Sequence, residues 1–402
     1  MMAVSTLSLG SVRVRWLAVL GACFCMLCSQ PPVAMYTFGI FVPEIASATR
    51  WSLQVIASAI GPGMLIASLV SPPLGWVCDR FGTRAIALLG GPIFGLGLIT
   101  LGLVPQSATA FVVFTAAMWF MSFAGSPVPY ALMITGLINE RRGLALSLMF
   151  ASGALGIAVW PPYAAWLIRL FGWRGAYVGC GVTAGSIIFG SALFLLRSAP
   201  RTSFATPAEG HTLLKAMRTT CFWKIAVIFM LLTGVLGGAA VNLPVILRRQ
   251  GLGAEAASLA ITVVGLSMLV GRIALGPLLD RWFSPRVTIG CVLLSMAGFA
   301  LLIWSGSATV IFVSASLLGL GLGAEFNASA YIVGRAFGFR AFGAIYGFVT
   351  LSYGLGGAIG PATIGVSLAR MLPQQIIFTV CLGLLVLAAL LLATIRRSDL
   401  PY

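Results

Sequence analysis

Arg272 and Glu325 carry opposite charges deep inside long apolar stretches of the chain. A charge in the hydrocarbon layer of a membrane is costly unless it is paired or hydrated, and such residues usually mark the path of a substrate or a proton. The guanidinium group of Arg272 matches a carboxylate in a two-pronged hydrogen-bonded contact. We therefore predict that Arg272 binds an anion and that Glu325 is its resting partner or the proton-coupling residue. A purely structural ion pair is the alternative.

The two charges lie at similar depths in their stretches. Arg272 precedes Asp280 by eight residues, and Glu325 precedes Arg335 by ten. These separations correspond to about 12 Å and about 15 Å of helix. Both residues therefore fall near the middle of a membrane, but the sequence does not establish that they face each other.

Three polar side chains within apolar stretches are candidates for binding substrate in a cavity, with interface or packing roles as the alternative. They are Tyr36, Asn242 and Tyr353. No catalytic residue is predicted, because a nucleophile–base pair is missing and the one histidine, His211, lies in the most polar loop. Cysteines 23, 25 and 28 do not share one helix face, and no histidine or acid is near enough to complete a metal site. We expect neither an enzyme nor a metal or other cofactor.

A charged motif recurs after 201 positions, half the length of the chain. Residues 74–81 read LGWVCDRF and residues 275–282 read LGPLLDRW. Each copy lies where an apolar stretch meets a short basic loop. We predict that the acids accept hydrogen bonds from a neighbouring helix N-terminus and that the arginines pair with acids or carbonyls of the opposite half. The predicted gating residues are Asp79, Arg80, Arg84, Asp280 and Arg281.

Composition places the chain in a membrane. Of its 402 residues, 60% are apolar and 8% are charged, whereas soluble globular chains contain about 25% charged residues. A net charge of +16 in a soluble protein would suggest nucleic acid. Here the basic residues lie mainly between apolar stretches, so they orient a membrane protein and we expect no nucleic-acid partner.

Twelve apolar runs are long enough to cross a bilayer, which takes about 20 residues. The predicted spans are 16–42, 53–77, 85–104, 108–137, 143–168, 175–196, 222–247, 256–279, 287–305, 307–334, 342–369 and 374–395. With both termini in the cytoplasm, 17 basic residues fall on the inner side and 6 on the outer side, as the positive-inside rule requires. We predict an all-α membrane protein with twelve transmembrane helices in two six-helix halves, 1–197 and 222–402, joined by a cytoplasmic linker, 198–221.

The motif Gly75-x3-Asp79-Arg80-x-Gly82-x-Arg84 after span two, with its degenerate copy after span eight, resembles that of the major facilitator superfamily. This resemblance covers nearly the whole chain. It implies two halves that rock against each other to give alternating access to a site between them.

A finer resemblance is to the bacterial monocarboxylate-transporter-like branch, which includes oxalate/formate antiporters. The matching stretches are 36–41, 50–52, 141–145, 160–162, 171–174, 321–325 and 342–347. The branch implies a carboxylate substrate bound by an arginine in span eight, which corresponds to Arg272. Met268 replaces the acid that animal carriers have one turn earlier, and 342–369 lacks the lysine of oxalate carriers. One fixed positive charge favours a monocarboxylate over a dicarboxylate.

We therefore expect a proton-coupled transporter of a small organic monocarboxylate that functions as a monomer in the cell inner membrane. A carboxylate exchanger or a drug/proton efflux transporter is the alternative. Efflux carriers place an acid in span one and a Gly-Pro-rich motif in span five, whereas here span one is free of acids until Glu44 and 153–162 lacks that motif. The identity of the acid, and symport against exchange or uniport, stay open.

Overall fold

The computed structural model describes residues 9–52, 55–56, 59–138, 141–196, 210–249, 254–303 and 307–401. The predicted halves and linker, 1–197, 198–221 and 222–402, therefore lie partly outside the described residues. Nearly all of the described chain is helical, because an apolar segment in a membrane must satisfy its backbone hydrogen bonds within itself.

The six spans of the N-terminal half follow the predicted order. Span one comprises Leu9–Leu27, a π-helical segment at Pro31–Met35, and Tyr36–Thr49. Span two is Ile60–Phe81, and span three is Thr83–Gly102. Span four comprises Ala108–Met121 and Pro127–Leu137. Spans five and six share Arg142–Gly190, which continues into Ser191–Leu195.

The C-terminal half repeats this arrangement. Span seven comprises Thr220–Leu232, a π-helical segment at Thr233–Gly237, and Gly238–Arg249. The remaining spans, eight to twelve, are Ala254–Arg281, Ser284–Ile303, Ala308–Phe337, Phe342–Ala369 and Gln374–Ala393. A short helix, Leu213–Met217, precedes span seven.

The count of twelve agrees with the apolar segments. Nine segments of the described chain are individually long and apolar enough to cross a membrane. One of them, Arg142–Leu195, is broken at Gly172, where φ is 67° and ψ is 174°, and therefore contains two spans. Ile60–Phe81 provides the eleventh span, and the paired shorter helices of span four provide the twelfth.

Several predicted boundaries were wrong. Span one was predicted as 16–42, but its helices extend from Leu9 to Thr49, because a helix continues beyond the part that is apolar enough to be recognised. The single run predicted at 108–137 is interrupted by a 3-10 turn at Ser122–Gly125. The predicted loop between spans five and six, 169–174, is helical except at Gly172.

The two halves meet at what we call the basic end of the bundle, where Arg80, Arg84 and Arg281 lie at the ends of spans two, three and eight. The Asp79 carboxylate accepts hydrogen bonds from the backbone N–H groups of Gly343 and Ala344, both at 2.9 Å, at the start of span eleven. A carboxylate is stabilised at a helix N-terminus by the free N–H groups and the helix dipole.

The other half makes the same contact in the opposite sense. Asp280 accepts from the N–H groups of Gly143 and Leu144, at 2.7 and 3.2 Å, at the start of span five. Glycine is needed here because a Cβ atom on Gly143 would lie 2.3 Å from the carbonyl oxygen of Gly276. The two acids therefore connect the halves through a pair of matching contacts.

The described part of the linker contacts the loop between spans ten and eleven. Gly210 forms a bridge with Gly338, and the N–H of His211 donates to the carbonyl of Phe337 at 2.8 Å. Burial and the nearby Lys215 lower the pKa of His211. The linker thus contacts the loop that leads into span eleven.

Close backbone contact also holds each half together. A Cβ atom on Gly360, in span eleven, would lie 1.9 Å from the carbonyl oxygen of Gly234 in span seven. Small residues permit such contacts between membrane helices. A Cβ atom on Gly383, in span twelve, would meet no neighbouring atom within 4 Å.

We expect Gly360→Ala to lower the unfolding temperature of the detergent-solubilised protein by several degrees, because the added methyl group forces spans seven and eleven apart at an overpacking cost of about 1–3 kcal/mol. Gly383→Ala, the matched control, should leave it unchanged or raise it slightly, because alanine favours a helix. Equal unfolding temperatures for both variants would contradict the packing described here.

Candidate functional site

Arg272 lies where span eight meets span five of the other half. Its side chain is buried, with 7% of its surface exposed. Nη1 donates to the carbonyl oxygen of Phe150 at 2.7 Å, whereas Nε has no hydrogen-bond partner in the described part of the chain. A Cβ atom on Gly271 would lie 2.5 Å from the carbonyl of Leu320, so close contact with span ten fixes the backbone beside Arg272. The guanidinium group is held in place with donor capacity unused.

Glu325 faces the same region from span ten. It is buried, lies beside the hydroxyl of Thr233 and is within electrostatic range of Arg272. No ion pair joins Glu325 to Arg272, both of which are described residues, and the Oε2 atom of Glu325 lacks a hydrogen-bond partner among those residues. The structure thus places the two charges within electrostatic range of each other without a direct ion pair.

Tyr36 approaches the two charges from span one of the other half. Its side chain lies within electrostatic range of Arg272 and Glu325, yet 43% of its surface is exposed. The structure thus places Tyr36 near Arg272 and Glu325. The sequence alone did not establish that these three residues lie together.

The position of Tyr36 depends on a break in span one. Pro31 has no N–H group to donate to the carbonyl of Leu27, and the indole Nε1 of Trp160 in span five donates to that carbonyl at 2.9 Å instead. The Thr37 hydroxyl donates to the carbonyl of Val33 at 2.6 Å. A π-helical segment begins at Pro31 and ends directly before Tyr36.

Span seven has its own π-helical segment at the corresponding position, Thr233–Gly237. Its first residue, Thr233, is the one beside Glu325. π-Helical segments are rare and frequently occur at functional sites. Both halves therefore contribute an irregular turn to the same region.

Tyr353 holds Glu325 from span eleven. Its hydroxyl donates to the backbone carbonyl of Glu325 at 2.8 Å, and its ring stacks on Phe326 with centroids 4.5 Å apart. The Tyr353 ring also stacks on Phe229, with centroids 5.6 Å apart. With 4% of its surface exposed, Tyr353 supports the region of Arg272 and Glu325, and its predicted contact with substrate stays a prediction.

Asn242 lies further along span seven. Its amide nitrogen donates to the carbonyls of Gly238 and Pro361, at 2.9 and 3.1 Å. Nine residues separate it from Thr233, which is about 13 Å of helix. The structure therefore places Asn242 in a contact between spans seven and eleven rather than beside Glu325.

Neither Arg80 nor Arg84 makes the predicted contact with the opposite half in this structure, and the prediction for Arg281 stays a prediction. Arg84 donates through Nε to the carbonyl of Ala192 in its own half, at 3.3 Å, and Arg80 lies over the ring of Trp76, at 5.5 Å, one turn away on its own helix. Arg281 is exposed. Arg80 and Arg84 thus have partners within their own half and do not cross the interface.

Arg142 makes the contact that the sequence analysis missed. Its guanidinium group lies 4.6 Å from the ring centroid of Phe339 in the opposite half. Nothing in the sequence distinguishes Arg142 from its neighbour Arg141. Asn327, a fully buried amide two residues after Glu325, was also missed, although an amide in an apolar span is a recognisable signal.

The described residues contain no group of three or more histidine, cysteine or acidic side chains that could hold a metal ion. All eight cysteines are described and unpaired.

Comparison with known proteins agrees with this architecture. The family model of the Major Facilitator Superfamily matches residues 22–361 and 250–401. The chain is 26% identical over 357 residues to YhjX, an uncharacterized MFS-type transporter of Escherichia coli strain K12, with 86% of each protein covered. It is 24% identical to monocarboxylate transporter 11 of Mus musculus, over 82% of this chain and 76% of that protein.

Among solved structures, the fold is similar to that of the Escherichia coli fucose:proton symporter FucP. The TM-score is 0.71 at 15% identity, and the superposition covers 96% of this chain and 99% of that one. Because the family model spans most of the sequence and the twelve-span architecture agrees with it, the protein belongs to the major facilitator superfamily of membrane transporters.

Proposed function

We propose that this protein is a secondary transporter that carries a small organic monocarboxylate together with a proton. The substrate binds at Arg272, and the halves 1–197 and 222–402 rock against each other to expose the site alternately to the two sides of the cell inner membrane. A single chain suffices, because both halves of the site come from one molecule.

The observation that carries this proposal is the state of Arg272. Its guanidinium group is buried where the halves meet, is not neutralised by an ion pair among the described residues, and uses Nη1 on a neutral carbonyl. A guanidinium group presents a planar fork of donors that a carboxylate can accept in two parallel hydrogen bonds. One such cation balances one carboxylate, which favours a monocarboxylate. The name of the mouse relative, a monocarboxylate transporter, supports the same class.

Glu325 is the proposed proton carrier. It is the buried acid nearest to Arg272, and a carboxyl group inside a membrane span is a usual element of a proton path. Its position allows occupation of Arg272 to alter the field at Glu325, which is the physical requirement for coupling a proton to a substrate.

The basic end is the proposed cytoplasmic side, because cytoplasmic segments carry the excess of arginine and lysine. Asp79 and Asp280 then close the cytoplasmic side, and the site opens toward the outside. Transport requires both acid–helix contacts to break when the halves rock. Arg80 and Arg84 contribute charge at this end rather than contacts across it.

In proteoliposomes, we expect Arg272→Gln to reduce uptake of labelled short monocarboxylates about tenfold or more. Loss of one partner of a buried charge-assisted contact typically costs about 2–5 kcal/mol. Arg370→Gln is the matched control, because Arg370 is exposed in the loop between spans eleven and twelve, and it should transport at the parent rate. Undiminished uptake by a folded Arg272→Gln protein would reject the carboxylate site.

Glu325→Gln should separate coupling from binding. We expect uptake driven by an inwardly directed proton gradient, with the outside more acidic, to fall to the rate measured without a gradient. Exchange of internal for external monocarboxylate should continue, because the guanidinium site is intact. Glu44→Gln, at an exposed acid of span one, should leave both unchanged. Gradient-driven uptake that survives Glu325→Gln would remove Glu325 from the proton path. A parent protein that exchanges but ignores the gradient would instead be a carboxylate exchanger.

A further inference from the structure

Asn327 connects three helices with a single side-chain amide. It lies on span ten and none of its surface is exposed. Its Nδ2 atom donates to the backbone carbonyl of Arg272 in span eight at 2.8 Å and to the Oγ atom of Ser147 in span five at 2.7 Å. The first bond stays within the C-terminal half, and the second crosses to the N-terminal half.

The crossing bond lies beside the contacts of Arg272. Ser147 is one helical turn from Phe150, whose carbonyl accepts from Nη1 of Arg272. On its other side, the Ser147 hydroxyl adjoins Gly276, where a Cβ atom would lie 2.6 Å from Oγ. Span five is therefore joined to span eight at this level in two ways. Phe150 accepts a hydrogen bond from the Arg272 side chain, and Ser147 is connected to the Arg272 backbone by way of Asn327.

The Oδ1 atom of Asn327 has no hydrogen-bond partner among the described residues although it is buried. A buried acceptor without a partner destabilises the fold, and an apolar side chain of similar size would avoid that cost. The amide is therefore poorly explained by stability alone. Its two donated bonds, one of which must break when the halves part, are what an apolar residue could not supply.

We propose that Asn327 is a positioning residue whose bond to Ser147 helps to hold the basic end closed, both before and after a carboxylate takes Nη1 of Arg272 from Phe150. When that exchange occurs, the Asn327–Ser147 bond is the hydrogen bond that still joins the halves at this level, and it sets how readily they separate. The role assigned to the carboxylate rests on the proposed function. The role assigned to the Asn327–Ser147 hydrogen bond, which we call the strut, does not rest on it.

The test measures how often the basic end is open. Phe81 and Trp282, exposed at the basic ends of spans two and eight in opposite halves, are replaced by spin-labelled cysteines in a variant without native cysteines, and the label-to-label distances are recorded without substrate. We expect Ser147→Ala, which removes only the crossing bond, to raise the long-distance population about fivefold, the effect of one typical hydrogen bond. Asn327→Leu should raise it at least as much.

The double variant, Ser147→Ala with Asn327→Leu, should match Asn327→Leu alone, because both remove the same crossing bond. Ser314→Ala is the control. Its buried hydroxyl also lies on span ten but bonds to the carbonyl of Gly298 within the same half, so the distances should not change. A Ser147→Ala distribution identical to the parent's would overturn the proposal, and this variant remains informative even if Asn327→Leu does not fold.

Propionate separates this inference from the proposed function. Propionate should lengthen the label-to-label distances in the parent at a lower concentration than the one needed to lengthen them in Arg272→Gln. If propionate has no effect on the parent while Ser147→Ala still lengthens the distances, the carboxylate proposal fails and the strut stands. If the distances in Ser147→Ala match those in the parent both without and with propionate, the Asn327–Ser147 bond does not control opening and this inference is wrong.

Discussion

The hydrogen bond from Arg272 to the Phe150 carbonyl is the interaction on which the account depends. It crosses from one half to the other, and it occupies a cation that forms no direct ion pair with an acid among the described residues. A buried cation satisfied by a neutral carbonyl is under-compensated, because a carbonyl supplies a dipole where a carboxylate would supply a full charge. Under the proposed function, an incoming anion improves the surroundings of Arg272 and weakens a contact between the halves in the same step. Binding and movement are thereby linked at one atom.

The matching contacts at the basic end give that local event a large-scale consequence. Asp79 on the start of span eleven and Asp280 on the start of span five are related by the repeat of the chain, so the closed state is held on both sides of the interface. Glycines at these positions allow backbones to touch, and such contacts are either made or lost rather than gradually relaxed. The irregular turns in spans one and seven bring side chains from both halves to the same level.

The sequence predicts those parts of the architecture that depend on composition, on the repeated motif and on isolated charges in apolar runs. Apolar runs gave the twelve helices, the repeat gave the two halves, and Arg272 and Glu325 stood out because a charge in an apolar run is rare. Tyr36 beside both charges is a tertiary fact, set by a proline whose missing N–H is replaced by the indole of Trp160. The partners of Arg84 and Arg142 depend on side-chain reach between helices, which no spacing along the chain encodes.

Arg272 as the carboxylate site is tested most directly by a contact measurement on the bound substrate. Solid-state NMR of the protein in lipid, with nitrogen-15 arginine and propionate carbon-13-labelled at its carboxyl group, reports whether guanidinium nitrogens lie at hydrogen-bonded distance from the carboxylate. The account predicts a strong recoupled signal in the parent that is absent in Arg272→Gln and intact in Arg370→Gln. A signal that persists in Arg272→Gln, or bound propionate without any arginine contact, would contradict it.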